Sequence, residues 1–182
     1  MLGPMTRAVA GTSRNHQKAA DRAPAAWLGV AFLVVVGSAW HFAVVASGES
    51  AVVGLLAPVN ESVWEHTKLI AVPMLAWAAL VGWRSRRMAP AVVAGVVGGV
   101  AGMVVMVVGY YAYVAVLGRG WFPMDIALFC VCAVVAMVVF ERVRAVRATA
   151  ATATLLVAAE LAAFAALTVA PPDWPLFVPT PR

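Results

Sequence analysis

Charge is scarce in this chain. Lys, Arg, Asp and Glu make up 12% of the 182 residues, against 64% hydrophobic types. That leaves too little polar side chain to cover a water-soluble domain of this size. Cysteine is nearly absent too: Cys130 and Cys132 lie in one apolar run, where a spacing of two puts them on different faces of a helix and in no metal-ligand pattern. They read as small apolar side chains in a packed helix. There is no nucleotide-binding loop, nucleophile elbow, haem-attachment motif or H-E-x-x-H pair. No inverted repeat of the transporter kind is visible. The net charge of +5 is divided among short loops rather than gathered on one face, so nucleic acid is excluded as a partner.

Long apolar runs are what the chain has in plenty. Five are long enough for a hydrocarbon core of roughly 30 Å: 27–46, 63–83, 90–117, 122–140 and 148–170. The third exceeds the need, so tilt or a bend is expected. The first is too long for the apolar part of a signal peptide and reads as a retained helix. Arg7, Arg14, Lys18 and Arg22 precede it; Arg84, Arg86 and Arg87 follow the second run; Arg142, Arg144 and Arg147 follow the fourth. With five crossings these three regions share a side, while Glu49, Glu61, Arg119, Asp173 and Arg182 on the other nearly balance. The expected fold is an all-α transmembrane bundle of about five helices, N-terminus inside and C-terminus outside, in the cell membrane. The expected partition is a disordered cytoplasmic tail over 1–25, a membrane domain over 26–170 and a proline-rich outer tail over 171–182. Trp27, Trp64, Trp83, Trp121 and Trp174 fall near segment ends, as interfacial aromatics do. Gly95, Gly98, Gly99 and Gly102 put small residues four apart, which invites close packing of another helix, within the bundle or from a second copy.

Ionisable groups inside a span cost a few kcal/mol each on insertion scales, so each needs an explanation. His41, then Glu61, Glu65, His66 and Lys68, then Tyr110, Tyr111 and Tyr113, then Asp125 fall at one level in the outer halves of four helices; Glu160 sits deeper in the fifth. Such convergence predicts an outward-facing polar cavity. The densest stretch is Pro58-Val59-Asn60-Glu61-Ser62-Val63-Trp64-Glu65-His66-Thr67-Lys68. On a helix, Glu61, Glu65 and Lys68 share a face and Ser62 and His66 the adjacent one. Pro73, one turn on, deprives the Leu69 carbonyl of its helical donor. Ordinary structure accounts for part of this. Ser62 and Glu65 match a capping box, Pro58 and Asn60 suit a turn, Lys68 can snorkel, and Asp125 opens a helix after Pro123. Those roles leave His41, His66 and Glu160 unexplained.

Two histidines and a few carboxylates are the right types for zinc or another divalent metal. The expected ligands are His41, His66 and Asp125. Glu61, Glu65 and Lys68 are the candidate catalytic groups, with a glutamate activating water. Asn60, Tyr110, Tyr111 and Glu160 would contact substrate. With a metal bound, the protein reads as a metal-dependent membrane enzyme acting on a lipid or extracytoplasmic substrate; simple hydrogen bonding of each histidine to a carboxylate or tyrosine is the competing use of the same side chains. A small-solute or proton-coupled transporter is the alternative, weakened by the lack of polar residues in the inner halves. A non-enzymatic assembly partner is the third reading.

The eleven-residue stretch resembles the signature of an uncharacterised family of small bacterial membrane proteins. The likeness runs from His41 through Tyr110 and Tyr111 and Asp125 to Pro171-Pro172-Asp173-Trp174-Pro175-Leu176-Phe177. It implies a small helical bundle and no particular activity. In architecture alone the chain is similar to membrane hydrolases such as the alkaline ceramidases, which use more histidines than this sequence has.

Overall fold

The computed structural model describes residues 24–179; all but the last two residues of the expected tail over 1–25, and the last three residues of the chain, lie outside that range. Seven α-helices and one 3-10 turn follow in order, and no strand occurs among the described residues. They are α1 (Pro24–Trp40), α2 (Ala43–Ala46), α3 (Ala51–Gly54), α4 (Val63–Ser85), α5 (Met88–Leu117), α6 (Phe122–Val143) and α7 (Ala150–Val169), then a 3-10 turn at Pro175–Phe177.

Local chemistry sets the ends. Ser62 caps α4 by accepting the Glu65 N–H at 3.3 Å, as its hydroxyl is suited to do. Helix α4 stops where Arg86 turns left-handed, at φ 55°. Gly118 closes α5 at φ 71°, the conformation glycine adopts without strain. Pro123 sits in the first turn of α6, where its missing N–H is no loss. Thr149 caps α7 by accepting the Thr152 N–H at 3.1 Å. The Pro171–Phe177 stretch, part of the proline-rich tail, contains no α-helix and makes the 3-10 turn at Pro175–Phe177.

Four helices, α4 to α7, are long and apolar enough to cross a membrane. The expected first span differs: α1 is a shorter apolar helix of 17 residues that ends at Trp40. The apolar run continues past it, but the chain turns at His41 and Phe42 and then folds into the short α2 and α3. The expected long third helix is one unbroken α5 of 30 residues.

Helices α4, α5 and α6 form the core around Ile70, Met74, Ala78, Ala94, Met106, Cys132, Ala136 and Phe140. The glycines of α5 let its neighbours in. A methyl group on Gly95 would stand 2.5 Å from the Ala78 Cβ, and one on Gly98 would stand 2.6 Å from the Ala136 carbonyl oxygen. One on Gly102 would meet Ile70 at 2.7 Å. These small faces are therefore occupied by α4 and α6 of the same chain. Helix α1 buries Leu33 completely and lies against α4 and α6. At Gly37 an added Cβ would come 2.5 Å from the Leu69 carbonyl oxygen. That is the carbonyl Pro73 frees from its helix, so the proline of α4 and the glycine of α1 meet at one crossing. Helix α7 is less enclosed, burying Ala153, Glu160 and Phe164.

Candidate functional site

The ends that gather around the candidate site are the C-terminus of α1, the N-termini of α4 and α6 and the C-terminal part of α5. The loop into α4 is built by its own polar groups. Asn60 Oδ1 accepts the Ser62 N–H at 2.8 Å, a turn typical of asparagine. The Glu65 carboxylate accepts the Val59 N–H at 3.0 Å. Only half of the expected capping box forms: Glu65 reaches past Ser62 to Val59, because Asn60 already satisfies the Ser62 N–H.

The eleven-residue stretch splits its charged groups two ways. Helix α4 begins at Val63, so Glu61 lies in the preceding turn and does not share a helical face with Glu65 and Lys68. The first group is His41, Glu61 and His66. His41 Nε2 stands 3.8 Å from Glu61 Oε1, and His66 Nε2 stands 3.6 Å from Glu61 Oε2. The two imidazoles meet edge to face with centroids 5.3 Å apart. One candidate ligand atom from each of the three residues falls within 4.8 Å of the others. All three side chains are partly exposed. His66 Nδ1 lies 2.8 Å from the Ser62 carbonyl oxygen. A carbonyl can only accept, so Nδ1 carries a proton and Nε2 is the nitrogen turned toward Glu61. Metal-binding histidines are held by their other nitrogen in this way.

The second group is buried and tightly tied. Lys68 is wholly shielded and Glu65 is 2% exposed. Lys68 Nζ donates to Glu65 Oε2 at 2.7 Å, to Thr168 Oγ1 at 2.7 Å and to the Gly54 carbonyl at 2.9 Å. Thr168 in turn donates to Glu65 Oε1 at 3.0 Å. The expected snorkelling of Lys68 does not occur. This network pins α3 and the end of α7 to α4, and neither Glu65 nor Lys68 lines the cavity described next. Sequence reasoning missed Thr168; its place two helical steps beyond Glu160 and one beyond Phe164, on the buried face of α7, was the available signal.

A cavity of about 690 Å³ opens beside the histidines. Its polar lining comes from Ser38, His41, Glu61, His66, Tyr110 and Asp125, and the rest is apolar, including Leu69, Met106, Leu128 and Phe129. The expected polar cavity is thus an apolar one with polar groups on part of its wall. Asp125 stands outside the histidine group and accepts a hydrogen bond from Tyr113. Tyr110 lines the cavity; Tyr111, 37% exposed, does not. Asn60 is exposed and serves its turn. Glu160 lies elsewhere, buried near Gly99, and neither of its carboxyl oxygens has a hydrogen-bond partner among the described residues.

The C-terminal stretch closes over α4. Trp64 packs against Phe164 at 5.6 Å and Phe177 at 5.4 Å. This tryptophan, expected at an interface, is a clamp between helix and tail, whereas Trp27, Trp83 and Trp174 stay largely exposed.

A helical bundle with four helices apolar enough for a membrane, and a His–Glu–His group beside an apolar cavity, define the class. The family of unknown function DUF6512 matches residues 15–180, and the chain belongs to it. No curated protein and no solved structure matches the chain.

Proposed function

We propose that the protein is a multi-pass enzyme of the cell membrane that holds one divalent metal, of zinc type, on His41, Glu61 and His66. The observation that carries this reading is the convergence of both imidazoles on one carboxylate, with His66 Nδ1 tied back to Ser62. A neutral His41 can donate to Glu61 from Nε2, whereas His66, with Nδ1 held by a carbonyl, offers Glu61 either a lone pair or a protonated ring. One metal would bind all three groups at once, each through one ligand atom. Zinc bonds of about 2.0–2.2 Å put ligand atoms roughly 3.3 Å apart in a tetrahedron, close to the 3.6 and 3.8 Å separations here.

Three protein ligands leave a fourth position for water, which the metal would acidify for attack on a substrate in the cavity. Glu61 then serves as ligand rather than base. Asp125 and Tyr110 face the same space and are the groups left to take a proton or hold a substrate.

In this reading α1 is the fifth crossing, and the basic loops around Arg84–Arg87 and Arg142–Arg147 face the cytoplasm. The site then opens outward. The test is metal analysis of the full chain purified in detergent and given one equivalent of zinc. About one zinc per chain is expected, falling at least tenfold in His41→Ala and His66→Ala. Sub-stoichiometric metal, unchanged by His66→Ala, would overturn the reading.

A further inference from the structure

We infer that the cavity seats the hydrocarbon chain of a single-chain amphiphile whose polar head is uncharged, such as an ester, amide or hydroxyl, and meets the His41–Glu61–His66 group. This rests on the enzyme reading above and names its substrate class. Three observations carry it.

The first is size and lining. About 690 Å³ lies in the range of about 300–1,000 Å³ typical of small-molecule sites. Leu69, Met106, Leu128 and Phe129 give it an apolar floor and walls, while the histidine group stands on one side. A ligand that fits must be apolar along its length and polar at one end. The second is access. Phe42, Phe122 and Ile126 line the cavity yet are 66%, 63% and 48% exposed. They sit just past the end of α1 and in the first turns of α6. With these helices in a bilayer, that gap opens toward lipid tails, so a chain can enter sideways without leaving an apolar medium.

The third is charge. Among the described residues the lining holds two carboxylates, Glu61 and Asp125, and no Lys or Arg. Two cations adjoin lining residues in sequence: Lys68, fully enclosed and engaged with Glu65 and Thr168, and Arg119, exposed on the loop before Gly120 and not itself part of the lining. A divalent metal would cancel the two carboxylates and leave no surplus positive charge. A phosphate head would add negative charge where two carboxylates already balance the metal and no Lys or Arg lines the wall, whereas a carbonyl or hydroxyl oxygen needs only the metal or a hydrogen bond.

The test is photo-crosslinking of the full chain in phosphatidylcholine nanodiscs with a monoacylglycerol carrying a mid-chain diazirine. The expected label falls on peptides containing Met106, Leu128 and Phe129, and is displaced by unlabelled monoacylglycerol. A lysophosphatidate of the same chain length should compete at least tenfold less well. Ile126→Trp at the rim and Met106→Phe deeper in should each cut labelling at least fivefold with zinc content unchanged. Label spread over the exposed Leu155 and Leu161 of α7, without competition, would overturn the inference. So would stoichiometric zinc with no cavity label, which leaves the metal reading standing. Cavity label displaced as expected in a chain that takes up no zinc would instead sink the metal reading and keep the amphiphile site. Equal competition by lysophosphatidate would overturn the choice of an uncharged head.

Discussion

Lys68 is the residue on which the charged half of the α4 signature depends. It has no access to solvent, and its ammonium is satisfied by Glu65, Thr168 and the Gly54 carbonyl. Removing one partner of a buried ion pair strands the other charge, at a cost of about 3–5 kcal/mol. Lys68→Met should therefore lower thermal stability in detergent sharply, and adding Glu65→Leu should recover most of the loss. A single Lys68→Met with an unchanged unfolding midpoint would contradict this account. Glu160 is the opposite case. Its carboxyl is buried without a hydrogen-bond partner among the described residues, and an unsatisfied buried polar group costs about 1–3 kcal/mol in protein mutants. Glu160→Leu should raise stability by about that amount, read as a higher unfolding midpoint. The sequence had marked Glu160 as hard to explain, and packing does not explain it; its place among apolar side chains near Gly99 separates it from the cavity. The site itself was partly legible. His41 and His66 stood out as imidazoles inside apolar runs, but the pairing of Glu61 with them was hidden, because helical face arithmetic assumed that α4 starts two residues too early.

The elements were legible because the bilayer imposes long apolar runs with little ambiguity. The second to fifth runs correspond to α4 to α7 with ends shifted by a few residues. The α2–α3 segment was not legible: Ala43–Ala46 is as apolar as α1, so only the turn at His41 and Phe42 separates them. Nor could sequence decide which neighbour the glycines of α5 accept, since spacing fixes a face and not its partner. The structure separates glycines that look alike. Gly98→Ala should cost about 1–3 kcal/mol, as overpacking does, because its Cβ would stand 2.6 Å from the fixed Ala136 carbonyl. Gly99→Ala should be tolerated, its nearest neighbour being 3.5 Å away. Unfolding curves of the two single variants check the contrast, and equal losses would show that the α5–α6 spacing is softer than it looks.

At the scale of the whole molecule the question is direction. Most basic residues of the chain were read as lying on one side, with Arg119 and Arg182 on the other, and the proposed arrangement turns this into an accessibility pattern. In a background of Cys130→Ala and Cys132→Ala, a single cysteine at Gly118 should react with an impermeant maleimide added to intact cells. One at Ser85 should react only after the membrane is opened. The reverse pattern would place the histidine group on the cytoplasmic side and exclude an extracytoplasmic substrate. The all-helical character and the long apolar helices were the easiest properties to anticipate from sequence. The division of polar residues into an ion-paired clasp and a separate His–Glu–His group was the hardest, since both arise from one short stretch.

The clasp also bears on how the polypeptide reaches its final place. Lys68 and Glu65 stand three apart on the same helix, so they can neutralise each other as soon as α4 forms, before any other segment arrives. A cation that travels with its own counter-ion crosses the insertion machinery at far lower expense than a bare one. Thr168, a hundred residues later in the chain, can then latch onto a pair already made, which would render the docking of the last helix the closing event of assembly.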